Sequence, residues 1–366
     1  MIQFVDLKAQ YHSIKREIDD AISRVLESGR FVLGEEVAAY ETEFADYCGT
    51  EYGIGLNSGT SALHLALLAA GIRPGDEVIT TPFTFVATVA AIYYSGARPV
   101  FVDIDPGTLS IDPDQIESAI TPYTRAIMPV HLHGQLADMG AILDIAQRHD
   151  LLVIEDAAQA HGAVFDGWRA GSMGALGCFS FYPAKNLGAY GEAGMVVTDN
   201  PDYADRIRML RDWGQAEKHQ HELPGYNNRM DALQGAVLRV KLRYLDDWNT
   251  ARRERAALYD ELLARAGIGL PPVVPGLEHI YHVYAIRTPE RDALQAALGA
   301  QGIPTGIHYP LPVHQMDAYA DLGFRAGQFP HAEQAAAEVL SLPMYPELPL
   351  DHVEQVADAI LAFFGA

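Results

Sequence analysis

Residues 151–162 read LLVIEDAAQAHG, and residues 178–198 read CFSFYPAKNLGAYGEAGMVVT. The first stretch predicts a strand buried on both faces of a parallel sheet, with Asp156 at its end. The second predicts a strand over 178–183 that is followed at once by Lys185. A carboxylate near a lysine amine at strand ends is what pyridoxal 5'-phosphate (PLP) chemistry needs, because the lysine bonds to the aldehyde and the carboxylate keeps the pyridine nitrogen protonated. The segment therefore predicts a PLP enzyme.

Lysine is scarce in this chain, which makes the position of each lysine informative. The lysines are Lys8, Lys15, Lys185, Lys218 and Lys241. We interpret Lys8, Lys15 and Lys241 as residues on the polar faces of amphipathic helices. Lys185 instead lies between an apolar strand and a glycine-rich turn, so we expect a partly desolvated amine with a lowered pKa. A solvent-exposed loop lysine is the alternative, and the upstream Asp156 favours the catalytic interpretation.

Length and composition predict a globular chain of about two domains. The chain has 366 residues, of which 49% are hydrophobic, and length of this order favours more than one core. No apolar run approaches the roughly 20 residues of a membrane span, and the amphipathic, acidic N-terminus does not resemble a signal peptide. Cys48 and Cys178 form no disulfide or metal-ligand pattern. We therefore expect a soluble cytoplasmic protein.

The acidic balance of the chain excludes one class of partner. The formal net charge is -22 at pH 7, whereas nucleic-acid binding relies on clustered lysine and arginine. A phosphorylated small molecule remains compatible with this charge if helix N-termini and a few local cations hold it.

Helices and strands alternate from Asn57 onward, which is typical of an α/β fold with a parallel sheet. Helical patterns follow after Thr198, and a strand with further helices follows the proline cluster at 271–275. We therefore predict a large α/β domain over residues 10–245 and a smaller α+β domain over 246–366. The predicted elements are helices at 58–70, 85–94, 139–149, 201–213, 230–247, 250–266, 331–340 and 351–364, a short helix from Pro113 capped by Asp112, a helix from Glu290, and strands at 77–82, 99–103, 126–132, 151–155 and 281–288.

The segment NSGTSA at 57–62 is a candidate phosphate site. Small residues open an apolar helix there, so free backbone N–H groups and the positive helix end can face an anion. An ordinary Ser58 N-cap is the alternative for this segment taken alone, and the downstream lysine and aspartate favour the phosphate. Gly188, Gly191 and Gly194 do not match G-x-G-x-x-G, so a dinucleotide fingerprint is absent.

Two histidine groups are candidates for metal binding and do not fit it. His131 and His133 continue the strand predicted over 126–132, and His219 and His221 lie in a polar loop. Neither group has H-E-x-x-H or cysteine partners at zinc spacing. We expect no metal, and we interpret His149 and His161 as surface or supporting residues.

Seven motifs together resemble the DegT/DnrJ/EryC1/StrS family of nucleotide-sugar aminotransferases. They occur in the order of the family and cover essentially the whole chain: NSGTSALHLAL (57–67), TPFTFVAT (81–88), FVDIDP (101–106), IEDAAQAHGA (154–163), FSFYPAKNLGAYGEAG (179–194), GYNNRMDALQGAVLRVKL (225–242) and HYPLPVH (308–314). The resemblance implies the type I fold of aspartate aminotransferase, with a mixed, mostly parallel sheet. It also implies a homodimer with active sites shared at the subunit interface.

The resemblance implies a role for each matching cofactor residue. Lys185 would be the Schiff-base lysine, Asp156 would pair with the pyridine nitrogen, and Gln159 would lie near the ring oxygen. Phe85 would stack on the ring face, with core packing as the alternative from the sequence alone. The phosphate would be held by Gly59, Thr60 and Ser180, with Asn227 reaching from the partner subunit.

For the sugar nucleotide, the resemblance points to Tyr182, Lys218, His308 and Tyr309, with Arg229 and His314 as further candidates. Lys218 is the other lysine outside a clear amphipathic helix, and its point charge suits a pyrophosphate.

The resemblance implies ping-pong transfer of an amino group from L-glutamate to a keto-sugar nucleotide. Lys185 is replaced by histidine in the related sugar dehydratases, so its presence favours transamination. The HYPLPVH segment favours 3-keto over 4-keto sugars, and the 4-keto alternative stays open. Two rivals remain: an amino-acid transaminase that uses Arg229, Arg287 or Arg325 for substrate carboxylates, and a non-catalytic PLP-binding regulator, for which the chain offers no spare DNA-binding segment.

Overall fold

The computed structural model describes residues 2–272 and 274–365. Its helices are α1 Leu7–Ser13, α2 Lys15–Ser28, α3 Glu35–Cys48, α4 Gly59–Ala69, α5 Val86–Tyr94, α6 Pro113–Ile116, α7 Met139–His149, α8 Pro201–Arg211, α9 Ala232–Leu242, α10 Leu245–Leu263, α11 Arg291–Ala300, α12 Pro330–Glu338 and α13 Leu350–Phe364. Its strands are β1 Tyr52–Leu56, β2 Glu77–Thr80, β3 Arg98–Phe101, β4 Thr124–Ile127, β5 Leu152–Asp156, β6 Val164–Phe165, β7 Trp168–Arg169, β8 Leu176–Ser180, β9 Gly194–Thr198, β10 Gln215–Glu217, β11 Gln220–His221, β12 Leu277–Glu278, β13 Tyr284–Arg287 and β14 Val339–Leu342. Among the described helices, none combines the length and apolar character needed to cross a membrane.

Within the described residues, the main sheet has seven strands in the order β1-β9-β8-β5-β4-β2-β3. The pairs from β8 through β5, β4 and β2 to β3 are parallel, whereas β9 runs antiparallel to both β1 and β8. The strands are apolar and buried because helices cover both faces of such a sheet. The predicted mixed, mostly parallel sheet is confirmed.

The parallel strands bring their carboxyl ends to one edge of the sheet. β5 and β8 are paired neighbours and end at Asp156 and Ser180, and β1 ends just before Ser58. In α/β proteins ligands bind at this edge, because the loops after the strands gather there. Residues from the four segments that follow β1, β2, β5 and β8 therefore surround one space.

Helix α4 begins at this edge for a local reason. The Ser58 side chain accepts a hydrogen bond from the N–H of Ser61 at 3.1 Å, so Ser58 caps the helix. The body of α4 is buried against α5, β8 and β9, in a core that contains Leu63, Leu65 and Leu67. This packing holds the N-terminal turn of the helix rigidly at the sheet edge.

The C-terminal part of the chain builds a second apolar core. Side chains from α10, α11 and α13 pack around the antiparallel pair of β13 and β14, and Ile2 joins them. The stacked rings of Tyr259 and Tyr284, with centroids 4.8 Å apart, lie in this core. Because α10 begins at Leu245 and contributes to this core, we retain the division into residues 10–245 and 246–366 as a proposal.

Four predicted elements differ from the structure. The strand predicted over 126–132 is β4 and ends at Ile127; a 3-10 turn follows at Leu132–Gly134, where His133 has φ 60° and donates its N–H to Gln159. His131 and His133 therefore do not continue a strand. The helices predicted at 230–247 and 250–266 instead divide between Leu242 and Leu245. The helix predicted over 331–340 ends at Glu338, because the buried residues of β14 pair with β13.

Lys241 was predicted on a polar helix face, and this is wrong. Its side chain is 1% exposed and its amine donates to the carbonyl oxygen of Gly188. The amine also lies 4.9 Å from the ring centroid of Tyr190 and 5.9 Å from that of Trp248. Burial lowers the pKa of Lys241 to about 7. A charged residue at a position that fits an amphipathic helix can thus be buried and hydrogen-bonded to a loop, here the loop that contains Gly188.

Candidate active site

The edge where the strands end encloses a cavity of about 500 Å³. The described residues that line it follow β1, β2, β4, β5 and β8 or come from the segments before β9 and β13 and after α11; they are Ser58, Gly59, Thr60, Leu63, Thr84, Phe85, Ala87, Thr88, Val130, Leu132, Asp156, Ala158, Gln159, Ser180, Tyr182, Ala184, Lys185, Glu192, His282, His308 and Tyr309. Ten of the residues proposed from the sequence are among them. A cavity of this size suits a cofactor-sized ligand.

Lys185 is a partly buried residue five positions beyond the end of β8. Its backbone N–H donates to the carbonyl oxygen of Tyr182 at 2.9 Å, which closes a turn and directs the chain back into the cavity. Burial lowers the pKa of the amine from 10.5 to about 8, and the nearby Asp156 opposes this shift. About one tenth of the amine is therefore unprotonated at pH 7, far more than for a lysine with an ordinary pKa, and the unprotonated form is the nucleophile.

Asp156 is 4% exposed at the end of β5. Its Oδ2 accepts a hydrogen bond from the Thr88 hydroxyl at 2.7 Å, and its Oδ1 accepts one from the N–H of Ala158 at 3.2 Å. Burial raises the pKa of the carboxyl, while the hydrogen bond from Thr88 lowers it. A cationic ring nitrogen beside this carboxylate would compensate the cost of burying the charge.

Glu155 precedes Asp156 in β5 and points to the opposite face of the sheet, because side chains alternate along a strand. It is fully buried and accepts four hydrogen bonds. The donors are the ring of His131 at 2.8 Å and the backbone N–H groups of Gly171, Met173 and Gly174 at 2.7, 2.8 and 2.6 Å. This network fixes the end of β5, and Asp156 with it.

The start of α4 and the end of β8 form a cradle for an anion. A Cβ added to Gly59 would lie 2.5 Å from the Cβ of Ser180, so only glycine allows this approach. Among the described residues, the N–H groups of Gly59 and Thr60 have no hydrogen-bond acceptor. Two free N–H groups at a positive helix end next to a serine hydroxyl are suited to a phosphate.

Phe85, Gln159 and Tyr309 line the same cavity and are linked to one another. The Phe85 ring lies 5.5 Å from the Tyr309 ring, and Gln159 donates to the Tyr309 hydroxyl at 3.0 Å. Phe85 is 52% exposed, which argues against core packing as its role. Because the Oε1 of Gln159 also accepts the N–H of His133 at 2.7 Å, the amide is held in one orientation.

Four residues proposed from the sequence lie outside the cavity. Lys218 and Asn227 are exposed, and Lys218 lies in the turn between β10 and β11. Arg229 forms an ion pair with Asp212. His314 is 3% exposed and bonds to Glu333 at 3.0 Å. A single chain thus brings together the ten cavity residues and leaves these four apart.

Thr88 and His282 both line the cavity and were not among the residues predicted from the sequence. Thr88 follows Phe85 by three positions, so a helix starting at Phe85 places both on one face. This spacing of three residues could have identified Thr88 as a site residue from the sequence. His282 lies near the start of the strand predicted over 281–288, not after a strand end, and gave no comparable signal. In the described part of the chain, no cluster of three or more His, Cys, Asp and Glu could hold a metal ion.

The residues present fit pyridoxal phosphate. The cradle at Gly59 and Ser180 offers free donors for the phosphate, Lys185 offers an amine of lowered pKa, and the buried Asp156 forms no ion pair with any described residue. These three features occupy the same cavity.

Comparisons with known proteins identify relatives over the full length of the chain. A sequence profile described as the DegT/DnrJ/EryC1/StrS aminotransferase family matches residues 12–361. A pleiotropic regulatory protein of Geobacillus stearothermophilus is 49% identical over 366 residues, which are 99% of this chain and 98% of that protein. The dTDP-3-amino-3,4,6-trideoxy-alpha-D-glucose transaminase of Streptomyces venezuelae is 48% identical over 360 residues, 98% of this chain and 95% of that enzyme.

Solved structures give the same result. The crystal structure of S. venezuelae DesV matches with a TM-score of 0.98 and 47% identity, covering 100% of this chain and 99% of that chain. The PLP form of Spr1654 from Streptococcus pneumoniae, described as a sugar aminotransferase, matches with a TM-score of 0.91 and 25% identity, covering 96% of each chain.

Proposed function

Because the chain belongs to the DegT/DnrJ/EryC1/StrS aminotransferase family, we propose that it transfers an amino group from L-glutamate to the carbonyl carbon of a 3-keto nucleotide sugar. It is a PLP-dependent nucleotide-sugar aminotransferase, and the proposed reaction is ping-pong with 2-oxoglutarate as the first product. The observation that carries the proposal is that Lys185 and Asp156 share one cavity with the Gly59 and Ser180 cradle.

When bound, PLP supplies an aldehyde for the amine and a conjugated ring that takes up electrons from the reacting carbon. Gly59, Thr60 and Ser180 would hold its phosphate, and Phe85 would contact its ring. Asp156 keeps the ring nitrogen protonated, because a buried carboxylate stabilises a neighbouring cation.

Lys185 moves the protons in both half-reactions. Its Nζ removes the α-proton of the amino donor in the first half, and it delivers a proton to the sugar carbon that gains the amine in the second. Both halves use the same amine, so the first product must leave before the sugar reacts. This requirement is the physical basis of the proposed ping-pong order.

The charges around the cavity support a sugar acceptor over an amino-acid acceptor. Among the described lining residues, Lys185 is the only lysine and there is no arginine. Arg229 is paired with Asp212, and Arg287 is paired with Glu338. An enzyme for two amino-acid substrates would place an arginine against each carboxylate, so the lining favours an acceptor whose reacting part is an uncharged sugar.

The position of the carbonyl is proposed from the segment at 308–314. His308 and Tyr309, which begin this segment, line the cavity, and the S. venezuelae relative is named for a 3-amino product. These two observations support C3 as the aminated carbon.

The proposed assembly is a homodimer in which each subunit completes the site of the other. Two lining side chains, Phe85 and Tyr182, are 52% and 51% exposed in the single chain, so a large part of the cavity wall is open. Lys218 and Asn227 are exposed residues of the kind that a partner could contribute. The proposed location is the cytoplasm, with which the free buried thiols of Cys48 and Cys178 agree.

A stepwise absorbance experiment tests the function. PLP-loaded protein is mixed with L-glutamate, excess donor is removed, and keto nucleotide sugars are then added one at a time. We expect glutamate to convert the PLP spectrum to that of pyridoxamine phosphate, and a 3-keto sugar to restore it. Restoration by 4-keto sugars alone would correct the carbon position, and no spectral change with any amino donor would support the regulator instead.

A further inference from the structure

Two histidines, His282 and His308, line the cavity beside Lys185. Burial lowers the pKa of His308 to about 4 and that of His282 well below 6.5, so both rings are neutral at physiological pH. A neutral imidazole has one N–H donor and one nitrogen acceptor, and the partner of one nitrogen decides the character of the other.

Asn186 determines which ring nitrogen of His282 carries the proton. The side-chain amide of Asn186 has one possible orientation, because its Nδ2 faces atoms that can only accept a hydrogen bond. The Nδ2 of Asn186 donates to the carbonyl oxygen of Ile280 at 2.9 Å and to Oδ1 of Asn249 at 2.8 Å. The Nδ2 of Asn249 donates to the carbonyl oxygen of His161 at 2.8 Å, so Asn249 cannot be flipped either. The Oδ1 of Asn186 therefore faces Nδ1 of His282, at 3.3 Å. Nδ1 must carry the proton, and Nε2 of His282 is an acceptor.

In His308 the other ring nitrogen, Nε2, carries the proton. Its Nδ1 lies 2.9 Å from the hydroxyl of Ser341, which is fully buried on β14. Among the described residues, that hydroxyl has no other hydrogen-bond partner. If Ser341 donates, both groups are satisfied; if Nδ1 donates, a buried hydroxyl proton is left unpaired, which costs free energy. Nδ1 of His308 therefore accepts, and its Nε2 carries the proton.

Among the described residues, the hydrogen bonds of the two rings are made through Nδ1, so both Nε2 atoms are without a protein partner, and both residues line the same cavity. We propose that His308 and His282 form a donor and acceptor pair that recognises the sugar carbonyl together with an O–H or N–H group on the adjacent carbon. His308 donates to the carbonyl oxygen, and His282 accepts from the neighbouring group.

This inference rests on the proposed function, since it assumes a keto sugar in the cavity. It adds His282 as a residue that contacts substrate and Asn186 and Ser341 as positioning residues. The pair suits a ketone with a hydroxyl or amide neighbour, because such a substrate offers one acceptor and one donor side by side. A carboxylate offers acceptors only and would leave His282 unmatched.

The ring states are tested directly by nitrogen NMR of apoprotein labelled with ¹⁵N-histidine. The signals of His282 and His308 are assigned with the variants His282→Gln and His308→Gln. We expect an unprotonated Nε2 on His282 and a protonated Nε2 on His308, and Ser341→Ala removes the preference of His308. A protonated Nε2 on His282 in the unsubstituted protein would overturn the proposal. This readout does not depend on any activity of the protein.

The recognition step is tested with two keto nucleotide sugars that differ only in the O–H or N–H group beside the carbonyl. We expect His282→Phe to lower kcat/KM for the sugar that bears the group about tenfold, the size of one net hydrogen bond. The same variant should lower kcat/KM for the deoxy analogue less, because that sugar has no O–H or N–H group from which His282 could accept. His282→Gln, whose amide can accept at a similar position, keeps the discrimination and serves as the second variant if the Phe variant does not fold.

His149→Phe, at an exposed residue of α7, is the matched control. Equal losses of kcat/KM on both sugars with His282→Phe would contradict the recognition role. If the unsubstituted protein aminates no keto sugar at all, the proposed function fails, and the NMR result still decides the ring states.

Discussion

The hydroxyl of Thr88 donates to the buried carboxylate of Asp156 over 2.7 Å, and the hydroxyl of Thr84 lies 2.7 Å from that of Thr88. Thr88 lies in the first turn of α5, three residues beyond Phe85. One helical turn thus carries the aromatic ring proposed to cover the cofactor and the hydroxyl that orients the carboxylate beneath it. The carboxylate and the ring face are therefore aligned by the same short segment.

Thr88→Val should weaken cofactor binding. The variant keeps the shape of the side chain but removes the hydrogen bond to Asp156, so we expect the Kd for PLP to rise about tenfold, the scale of a hydrogen bond to a charged group. A fluorescence titration of apoprotein measures this change. Thr88→Ser retains the hydroxyl and is the control; equal PLP affinity in the Val variant and the unsubstituted protein would refute the role.

Gly59→Ala should damage the phosphate cradle through a steric clash with Ser180. The added Cβ would lie 2.5 Å from the Cβ of Ser180, so we expect PLP affinity to fall at least tenfold while the fold persists. The double variant Gly59→Ala with Ser180→Gly removes the obstructing Cβ. A double-mutant cycle on the Kd should therefore give a coupling of about 1 kcal/mol or more, and strictly additive effects would contradict the cradle.

The capture of PLP by apoprotein should depend on pH through Lys185. Its pKa is lowered from 10.5 to about 8, and only the unprotonated amine attacks the aldehyde. The second-order rate should therefore rise with pH and level off above about pH 8. Stopped-flow absorbance measures the profile, with Lys185→Ala as the blank. A rate that still climbs tenfold per pH unit between pH 9 and 10 would show an unperturbed lysine.

Lys241 should make the protein more stable as the pH rises. Its pKa is lowered from 10.5 to about 7 in the folded chain. Between these values the unfolded chain binds a proton that the folded chain does not, so the free energy of unfolding increases with pH. Relative to Lys241→Met, we expect the unsubstituted protein to gain at least about 1.4 kcal/mol over this interval, the value of one pKa unit. Urea unfolding at pH 6, 8 and 10 tests this, and parallel curves would contradict the burial of the amine.

The shared dimer sites can be tested by mixing two inactive variants. Lys185→Ala lacks the catalytic amine, and the double variant Lys218→Ala with Asn227→Ala lacks the groups proposed to reach the partner. Random exchange of subunits should restore about one quarter of the normal turnover, because half of the dimers carry one intact site of two. If the mixture stays as inactive as its components after proven exchange, each site is complete within one chain.

Elements whose structure is determined by their own sequence were predicted well, and elements whose structure depends on distant residues were not. Strand β5 and helix α7 were predicted within one residue, because a continuous apolar run and a clear amphipathic period leave little choice. The turn at Leu132–Gly134 was missed because its cause is a tertiary hydrogen bond from His133 to Gln159. The first two residues of β14 were predicted as helix because the pairing partner of this strand, β13, lies more than fifty residues earlier in the chain.

The site was predictable to the extent that its residues follow strand ends. Lys185, Asp156 and Ser180 each lie at or just after a strand, and the cavity contains all three. This reasoning fails for Lys241. Because lysine is polar, we predicted that Lys241 faces solvent, but its amine donates to the carbonyl oxygen of Gly188, which lies more than fifty positions away in the chain. His282 can be identified as a site residue only from the structure, in which Asn186 is hydrogen-bonded to the loop at 280–282.

Glu155 and Asp156 are two adjacent acids that face opposite sides of one strand, the first held by four donors and the second open to the cavity. The order of the two acids along β5 determines which one fixes the strand and which one faces the cavity, where its charge can balance that of a cationic ring nitrogen. A one-residue slip of this strand would exchange these duties, moving the longer acid into the cofactor space and leaving the shorter one to reach donors spaced for a glutamate. Substitutions in the helices around it can be absorbed locally, whereas a single-residue insertion or deletion in β5 would abolish the site in one step.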